Sequence, residues 1–225
     1  MKKSIIRKPP TAVLIAIIAV VVAVSSAVAW LVVTPAVLNR IYSLSNYDAY
    51  ANVYFVGATH GSEYFKNTDG TLNIDVATPT AENYISKLRV DANFKGRGSA
   101  YVRLKVIQQW QDSSNMILQS NNVLPYTIAT PYNLNMGGNQ SAWFDNRMDD
   151  YCFYYATKLT ASNASYSSIP IITGIDINQF KAMIPTGTVT LKIAFTLEAV
   201  QINRYPQFWG IDTLPWLPAA VTTTA

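Results

Sequence analysis

Apolar and polar residues alternate along several stretches of this chain, and the clearest alternation lies near its end. Leu191, Ile193, Phe195 and Leu197 are separated by Lys, Ala and Thr residues. Because successive side chains of a β-strand point to opposite faces, this period of two predicts a strand over residues 188–198. We expect these four residues to be core residues of a central strand.

Shorter stretches with the same character occur throughout residues 47–225. They predict strands over residues 51–56, 71–76, 85–92, 100–110, 116–118 and 126–128, and another that starts at 169–172. In the strand over 100–110, Val102 and Leu104 face one side while Tyr101 and Arg103 face the other, which is typical of a half-buried antiparallel strand. Pro170 is expected at the beginning of its strand or on an edge strand.

Turn signals separate these strands, and a long helix is not indicated after residue 46. Residues 95–99, KGRGS, predict a turn, and residues 176–187 one helical turn before Pro185. Many short strands at regular spacing predict an all-β fold, a jelly-roll-type β-sandwich formed by one domain over residues 47–225. An N-terminal hydrophobic export or anchor helix is expected to precede it.

That helix is predicted from an apolar run over residues 11–33, which follows Lys2, Lys3, Arg7 and Lys8. Its 23 residues would span roughly 35 Å as a helix, enough to cross a bilayer. The small residues Ala27 and Ala29 form an A-x-A pattern, which favours a signal peptide over residues 1–29 that is cleaved before Trp30. The apolar run continues to Val33, which favours an uncleaved membrane anchor. Both alternatives place the later residues outside the cell.

Charge excludes nucleic acid as an expected partner. Four of the 17 basic residues precede the apolar run, so the rest of the chain carries as many basic as acidic residues, 13 of each. The net charge of +4 therefore belongs to the export segment. The single Cys152 cannot form an internal disulfide, and it is expected to be a small buried apolar group.

Residues for catalysis or for a cofactor are not found in a known pattern. His60 is the single histidine, beside a glycine in a loop, so neither a zinc-protease site nor a Ser-His-Asp set is indicated. Asp145, Asp149 and Asp150 could bind calcium through carboxylate oxygens, but their spacing favours a solvated acidic turn. We therefore predict a protein that is not an enzyme and that holds neither a cofactor nor a metal.

Aromatic residues allow two interpretations, a glycan-binding surface or internal packing. Packing is favoured, because half of the residues in a strand face inward. The residues in question are Trp110, Trp143, Tyr151, Phe153, Tyr154, Tyr155 and Trp209.

A series of short segments resembles a known family. They are AYVRLKV at residues 100–106, Trp143, DDYCFYYATKL at 149–159, IPII at 169–172, VTLKIAFTLEAVQ at Val189–Gln201, and Trp209-Gly210. This order resembles the C-terminal half of TasA/camelysin-type (SipW-dependent) proteins, exported Gram-positive and archaeal surface proteins that include bundling-pilus subunits. The similarity covers residues 100–210, about half of the chain. It implies a jelly-roll domain and extracellular fibres in which each subunit passes an N-terminal strand to the next.

The expected function is therefore a structural subunit of an extracellular or cell-surface filament, a biofilm matrix or pilus-like fibre. The partner would be a second copy of the chain, and residues 30–46 would be the donor segment for strand exchange. Its polymerisation residues would be Trp30, Leu31, Val33, Val37, Leu38, Ile41 and Leu44. The alternative is a membrane-anchored surface module that binds glycans or another protein. A secreted metalloprotease is a third hypothesis, because some relatives carry a protease label.

Overall fold

A computed structural model describes residues 47–118, 122–161 and 165–217 of the chain. Eleven strands lie in these ranges: β1 (Tyr47–Phe55), β2 (Leu72–Ile74), β3 (Leu88–Gly96), β4 (Gly98–Asp112), β5 (Ile117–Leu118), β6 (Tyr126–Ile128), β7 (Trp143–Asp145), β8 (Cys152–Tyr155), β9 (Leu159–Ala161), β10 (Ser167–Ile175) and β11 (Val189–Gln201). The α-helices are Arg147–Asp150, Ile177–Met183 and Tyr205–Trp209, and short 3₁₀ turns cover Ser62–Phe65, Ile85–Lys87 and Leu134–Met136. The predicted all-β class is confirmed.

The strands form two antiparallel sheets. The first sheet has the order β1-β3-β10-β6. The second has the order β2-β11-β4-β8-β7, and the short strands β5 and β9 also pair with β4. The long strands β4 and β11 pair continuously from Val189–Asp112 to Gln201–Ala100, so they form the centre of the second sheet.

Apolar residues from both sheets pack into one core. Val90 and Phe94 of the first sheet belong to the same buried cluster as Leu104 of the second. Leu191 and Ile193 of β11 are fully buried in that cluster. Phe195 and Leu197 are buried there as well, so the predicted core face of β11 is confirmed.

The chain passes from one sheet to the other at the predicted turn. β3 of the first sheet ends at Gly96 and β4 of the second starts at Gly98, so Arg97 is the single residue between these two strands. Gly98 has a φ of +99°, a backbone conformation that favours glycine. A side chain at this position would also meet the Tyr47 hydroxyl at 2.9 Å from its Cβ.

Pro170 lies at a local edge of the first sheet, one of the two positions predicted, because β6 pairs with β10 only between Ile172 and Ile175. Pro170 lies in the middle of β10, opposite Asp91, and β10 lies between β3 and β6. The pairing register shifts between Pro170 and Ile172, which marks an irregularity in the ladder. A proline, which has no N–H to donate, is tolerated within a sheet at such an irregularity.

The predicted helical turn is confirmed as the helix Ile177–Met183. The Asp176 carboxylate caps it by accepting hydrogen bonds from the amides of Asn178 and Gln179. Phe180, on this helix, is fully buried and packs against Trp110 of β4 with 6.0 Å between ring centroids. The helix therefore covers one end of the core.

The half-buried character predicted for β4 holds only in part. Its outer face is covered by the C-terminal segment, defined here as residues 202–217. Tyr101 on that face packs against the rings of Tyr205 and Trp216, each at 5.8 Å between centroids. Trp209 and Trp216 are buried in this second, smaller cluster. The sequence of β4 alone does not show that this face is covered, because the residues that cover it lie about a hundred positions further along the chain.

Within the described residues, none of the helices has the length and apolar character needed to cross a membrane. The predicted signal peptide or anchor at residues 1–29 lies outside the described residues.

Candidate functional site

The predicted donor segment and cleavage residues lie outside the described part of the chain. These are Ala27, Ala29, Trp30, Leu31, Val33, Val37, Leu38, Ile41 and Leu44. The described chain starts at Tyr47, immediately after the donor segment, and this residue is the first of β1. A surface that receives such a segment must therefore be sought on the sheets themselves.

Among the described strands, β1 is an edge of the first sheet. The Val56 amide donates to the Lys87 carbonyl at 2.9 Å, next to the β1–β3 ladder. Because ladder bonds alternate in an antiparallel pair, this bond assigns the even-numbered residues of β1 to the ladder with β3. The N–H and C=O groups of the odd-numbered residues from Tyr47 to Val53 then point away from β3. No other described residue bonds to them.

Within the described part of the chain, β11 has a second edge that is paired over only part of its length. β2 pairs with it only between Leu191 and Ile193. The Ile202 amide donates to the Ser99 carbonyl at 3.4 Å, so the even-numbered residues of β11 bond to β4. The backbone groups of Phe195, Leu197 and Ala199 point to the other side, where no described residue bonds to them.

The two free edges lie on the same side of the structure. Cα atoms of β1 and β11 come within 8 Å of each other, yet no ladder joins the two strands. Ala51 and Val53 of β1 and Ala199 of β11 point inward but are only half-buried. We name the inward-facing residues of this region the acceptor edge: Ala49, Ala51, Val53, Phe195, Leu197 and Ala199.

The inward-facing residues of β11 are more exposed beyond the end of β2 than beneath it. Leu191 and Ile193, which β2 covers, are 0% exposed. Phe195 and Leu197, beyond β2, are 8% and 5% exposed, and Ala199 is half-buried. The core is therefore less completely covered along the acceptor edge than beneath β2.

β1 lacks the features by which sheet edges usually avoid pairing with other chains. Such edges carry prolines, lysines, inward-pointing charges or bulges, or they are very short. β1 pairs in unbroken register over nine residues, its sequence is YDAYANVYF, and its one charged residue, Asp48, lies on the outer face. The edge strands β2, β6 and β7 have three residues each. β1 is thus the long, unprotected edge among the described strands.

The aromatic residues singled out in the sequence are buried, with one exception. Trp110, Trp143, Phe153, Tyr154, Tyr155 and Trp209 are all at most 9% exposed, whereas Tyr151 is 59% exposed. The packing interpretation is confirmed for these six residues. Their rings are not available as a glycan-binding face.

A polar network lies beneath the C-terminal segment. The Arg103 Nε donates to Glu198 at 2.7 Å, and its Nη1 donates to the Tyr154 hydroxyl at 3.2 Å. The Tyr154 hydroxyl in turn donates to Asp150 at 2.5 Å. The Trp209 ring lies 4.8 Å from the guanidinium carbon. Each charge in the network has an opposite charge or a hydroxyl as partner, so we assign it a structural role.

Cys152 lies in the same cluster and is 1% exposed, as predicted. Burial raises the pKa of its thiol to about 12. Its Sγ donates to the Asp150 carbonyl at 3.3 Å. A thiol that is buried and protonated at neutral pH is a poor nucleophile.

Asp145 and Asp150, two of the three acidic residues of the predicted turn, bind different side chains. Asp145 accepts from Arg147 at 2.8 and 2.9 Å, while Asp150 accepts from Tyr154. His60 lies in a loop and contacts Glu82 at 2.8 Å between Nδ1 and Oε2. The described ranges contain no group of three or more His, Cys, Asp or Glu residues arranged to hold a metal ion.

Sequence reasoning missed a set of tyrosines on the outer face of the first sheet. Tyr50 and Tyr54 alternate with inward-facing residues along β1, and Tyr166 precedes β10. The predicted strand started at residue 51, four residues late, so the alternation that includes Tyr50 was not recognised. A window that began at residue 47 would have shown it.

Comparison of the chain with known protein families, with curated proteins and with solved structures finds no match.

Proposed function

We propose that this protein is a structural subunit of an extracellular or cell-surface filament, and that it assembles by donor-strand exchange. Residues 30–46 of one subunit would pair with β1 of the next and place their apolar side chains on the acceptor edge. The observation that supports this most strongly is the nine-residue unprotected edge of β1. Strand addition to such an edge supplies main-chain hydrogen bonds, while alternate side chains supply specificity.

The apolar character of the donor segment supports the same proposal. Each large apolar side chain removed from water gains about 1.5–3 kcal/mol. Trp30, Leu31, Val33, Val37 and Leu38 would therefore favour a buried position once export has exposed them. Binding to the next subunit is head-to-tail, and head-to-tail contacts that do not close into a ring produce a filament.

The resemblance to TasA/camelysin-type proteins agrees with this role. It implies a jelly-roll sandwich, export across the membrane behind an N-terminal apolar helix, and an extracellular location. The two antiparallel sheets with a shared core are compatible with that architecture. The proposed role needs neither catalysis nor a cofactor.

The substitution Ala51→Pro tests the proposal at a single backbone group. The Ala51 N–H points to the free edge, so a proline removes a donor that the β1–β3 ladder does not use. We expect Ala51→Pro protein to fold and to remain monomeric, whereas the unchanged protein forms filaments visible by negative-stain electron microscopy.

A matched control is Asn52→Lys, because Asn52 points to the outer face and is exposed. This variant should form filaments of normal length. Normal filaments from folded Ala51→Pro protein would contradict β1 as the acceptor. Monomeric, membrane-bound protein in every sample would contradict the filament proposal itself.

A further inference from the structure

The outer face of the first sheet carries a layer of tyrosine rings and polar groups. It is built from residues of β1 and β3 that point away from the core, together with residues at the start of β10. We name this surface the tyrosine face; its members are Asp48, Tyr50, Asn52, Tyr54, Arg89, Asp91, Asn93, Lys95, Tyr166, Ser168 and Pro170.

Three rings are available on this face. Tyr54 and Tyr166 are 39% and 41% exposed, and Tyr50 is half-buried. Tyr50 and Tyr166 contact each other edge to face, with 5.2 Å between centroids. Tyr54 lies four residues further along β1 than Tyr50, about 13 Å away at the rise of a strand. An extended chain of sugar rings could span this separation, whereas a single ring could not.

The polar groups around the rings are already held in position. Asp48 accepts a hydrogen bond from the Tyr166 hydroxyl. It also forms an ion pair with Lys95, with 3.2 Å between Nζ and Oδ2. Lys95 also lies 4.3 Å from the centre of the Tyr166 ring. Burial and the nearby Asp91 carboxylate raise the pKa of the Tyr54 hydroxyl. Groups that are ordered before binding lose little conformational entropy on binding.

The charge and composition of the face narrow the class of ligand. Asp48 and Asp91 balance Arg89 and Lys95, so the face has no net charge to attract nucleic acid or anionic lipid. Apart from the tyrosines and Pro170, its members are polar or charged, whereas homodimer interfaces have a more apolar centre. Tyrosine rings offer apolar faces, and amide, carboxylate and guanidinium groups match hydroxyls.

We propose that the tyrosine face binds a neutral polysaccharide, with the rings of Tyr50 and Tyr54 stacked on sugar rings and Asn52, Asp91 and Asn93 bonded to hydroxyls. The surface lies within one chain, so this binding is independent of filament assembly. It extends the function from self-association to attachment of the protein to surrounding glycans.

Affinity electrophoresis of the exported protein tests this proposal. The gels would contain hydroxyethylcellulose, xylan or dextran, and heparin would serve as the anionic comparison. Sedimentation assays would test binding to insoluble cellulose and chitin. We expect retention by at least one neutral polysaccharide and none by heparin. Tyr50→Ala/Tyr54→Ala protein should show at least about tenfold weaker retention, the level at which an interface residue is counted as important.

The matched control is Tyr64→Ala, since Tyr64 is a 69% exposed tyrosine in a loop that is not part of this face. It should retain binding. Tyr54→Ala alone, which removes the more exposed ring, keeps the test valid if the double variant does not fold. Absence of retention by every neutral polysaccharide would overturn the proposal. So would equal losses for Tyr54→Ala and Tyr64→Ala, or unchanged binding by the folded double variant.

Discussion

The Tyr47 hydroxyl donates a hydrogen bond to the Ser99 carbonyl at 2.9 Å, and this contact joins the first residue of β1 to the second residue of β4. The bond links the two sheets at the corner where Arg97 connects them. Tyr47 also pairs with Gly96 of β3 at this corner. The donor segment would therefore leave the fold at this corner.

We predict that Gly98→Ala destabilises this corner. The variant would hold alanine at a φ of +99° and bring its Cβ to 2.9 Å from the Tyr47 hydroxyl. A strained backbone of this kind costs of the order of 1–3 kcal/mol. Urea denaturation would show a lower midpoint. Gly61→Ala is the control, because Gly61 has an ordinary φ of −68° and no atom within 4 Å of a new Cβ. Equal midpoints for the two variants would contradict the assigned strain.

Phe195→Ala should lower the free energy of unfolding by about 3–5 kcal/mol, the range for truncation of a buried aromatic ring. Phe195 is 8% exposed in the shared core. The comparison variant is Phe208→Ala, which removes a ring that is 49% exposed and should cost far less. A denaturation midpoint within error of the unchanged protein would show that the faces of β11 are assigned backwards.

The pH dependence of stability should reveal the contact between two loops at Glu82. Hydrogen bonds from the Thr59 hydroxyl and from His60 lower the pKa of Glu82 from 4.5 to about 2. A carboxyl group with a folded pKa below its unfolded value stabilises the fold above the unfolded value. That contribution is then lost as the pH falls from 4.5 towards 2.

The comparison of Glu82→Gln with the unchanged protein measures this contribution. The unchanged protein should have the higher denaturation midpoint above pH 4.5, and the two midpoints should converge as the pH approaches 2. A difference that stays constant over this interval would show that the Glu82 carboxylate does not carry the effect.

Cys152 should report on the C-terminal segment that covers it. In the native protein its thiol is 1% exposed and has a raised pKa, so a disulfide reagent should react very slowly. Trp209→Ala should speed the reaction, because Trp209 and Cys152 share one buried cluster. Phe208→Ala, next to it in sequence, should leave the rate unchanged. Equal rates for both variants would mean that residues 202–217 do not protect the thiol.

The sequence predicts those parts of the fold that depend on local alternation. The core face of β11 and the helical turn before Pro185 are examples, because a period of two and a proline that ends a helix are visible in the residues themselves. The free edges were not predictable, since they depend on which strands become neighbours. The irregularity next to Pro170 was not predictable either, because a shift in strand pairing does not appear in the sequence.

The sequence predicts one half of the candidate site, the donor segment, but not the surface that would receive it. The apolar donor segment is evident from composition, but it gives no indication of the strand that receives it. Of the seven aromatic residues that the sequence offers for a glycan surface, Tyr151 alone is exposed. The tyrosines of the outer face are scattered over residues 50–166. Only the pairing of β1, β3 and β10 brings them together.

Amide hydrogen exchange on β1 tests the central claim most directly. The experiment uses mature protein lacking residues 30–46, measured alone and with a synthetic peptide of those residues. Donor-strand exchange at β1 predicts that the Ala49, Ala51 and Val53 amides exchange quickly in the protein alone and become protected when the peptide is added. The Asn52 amide, which faces the ladder with β3, should be protected in both samples. Unchanged exchange of the three edge amides with bound peptide, or filaments of normal length from the shortened protein, would contradict donor-strand exchange at β1.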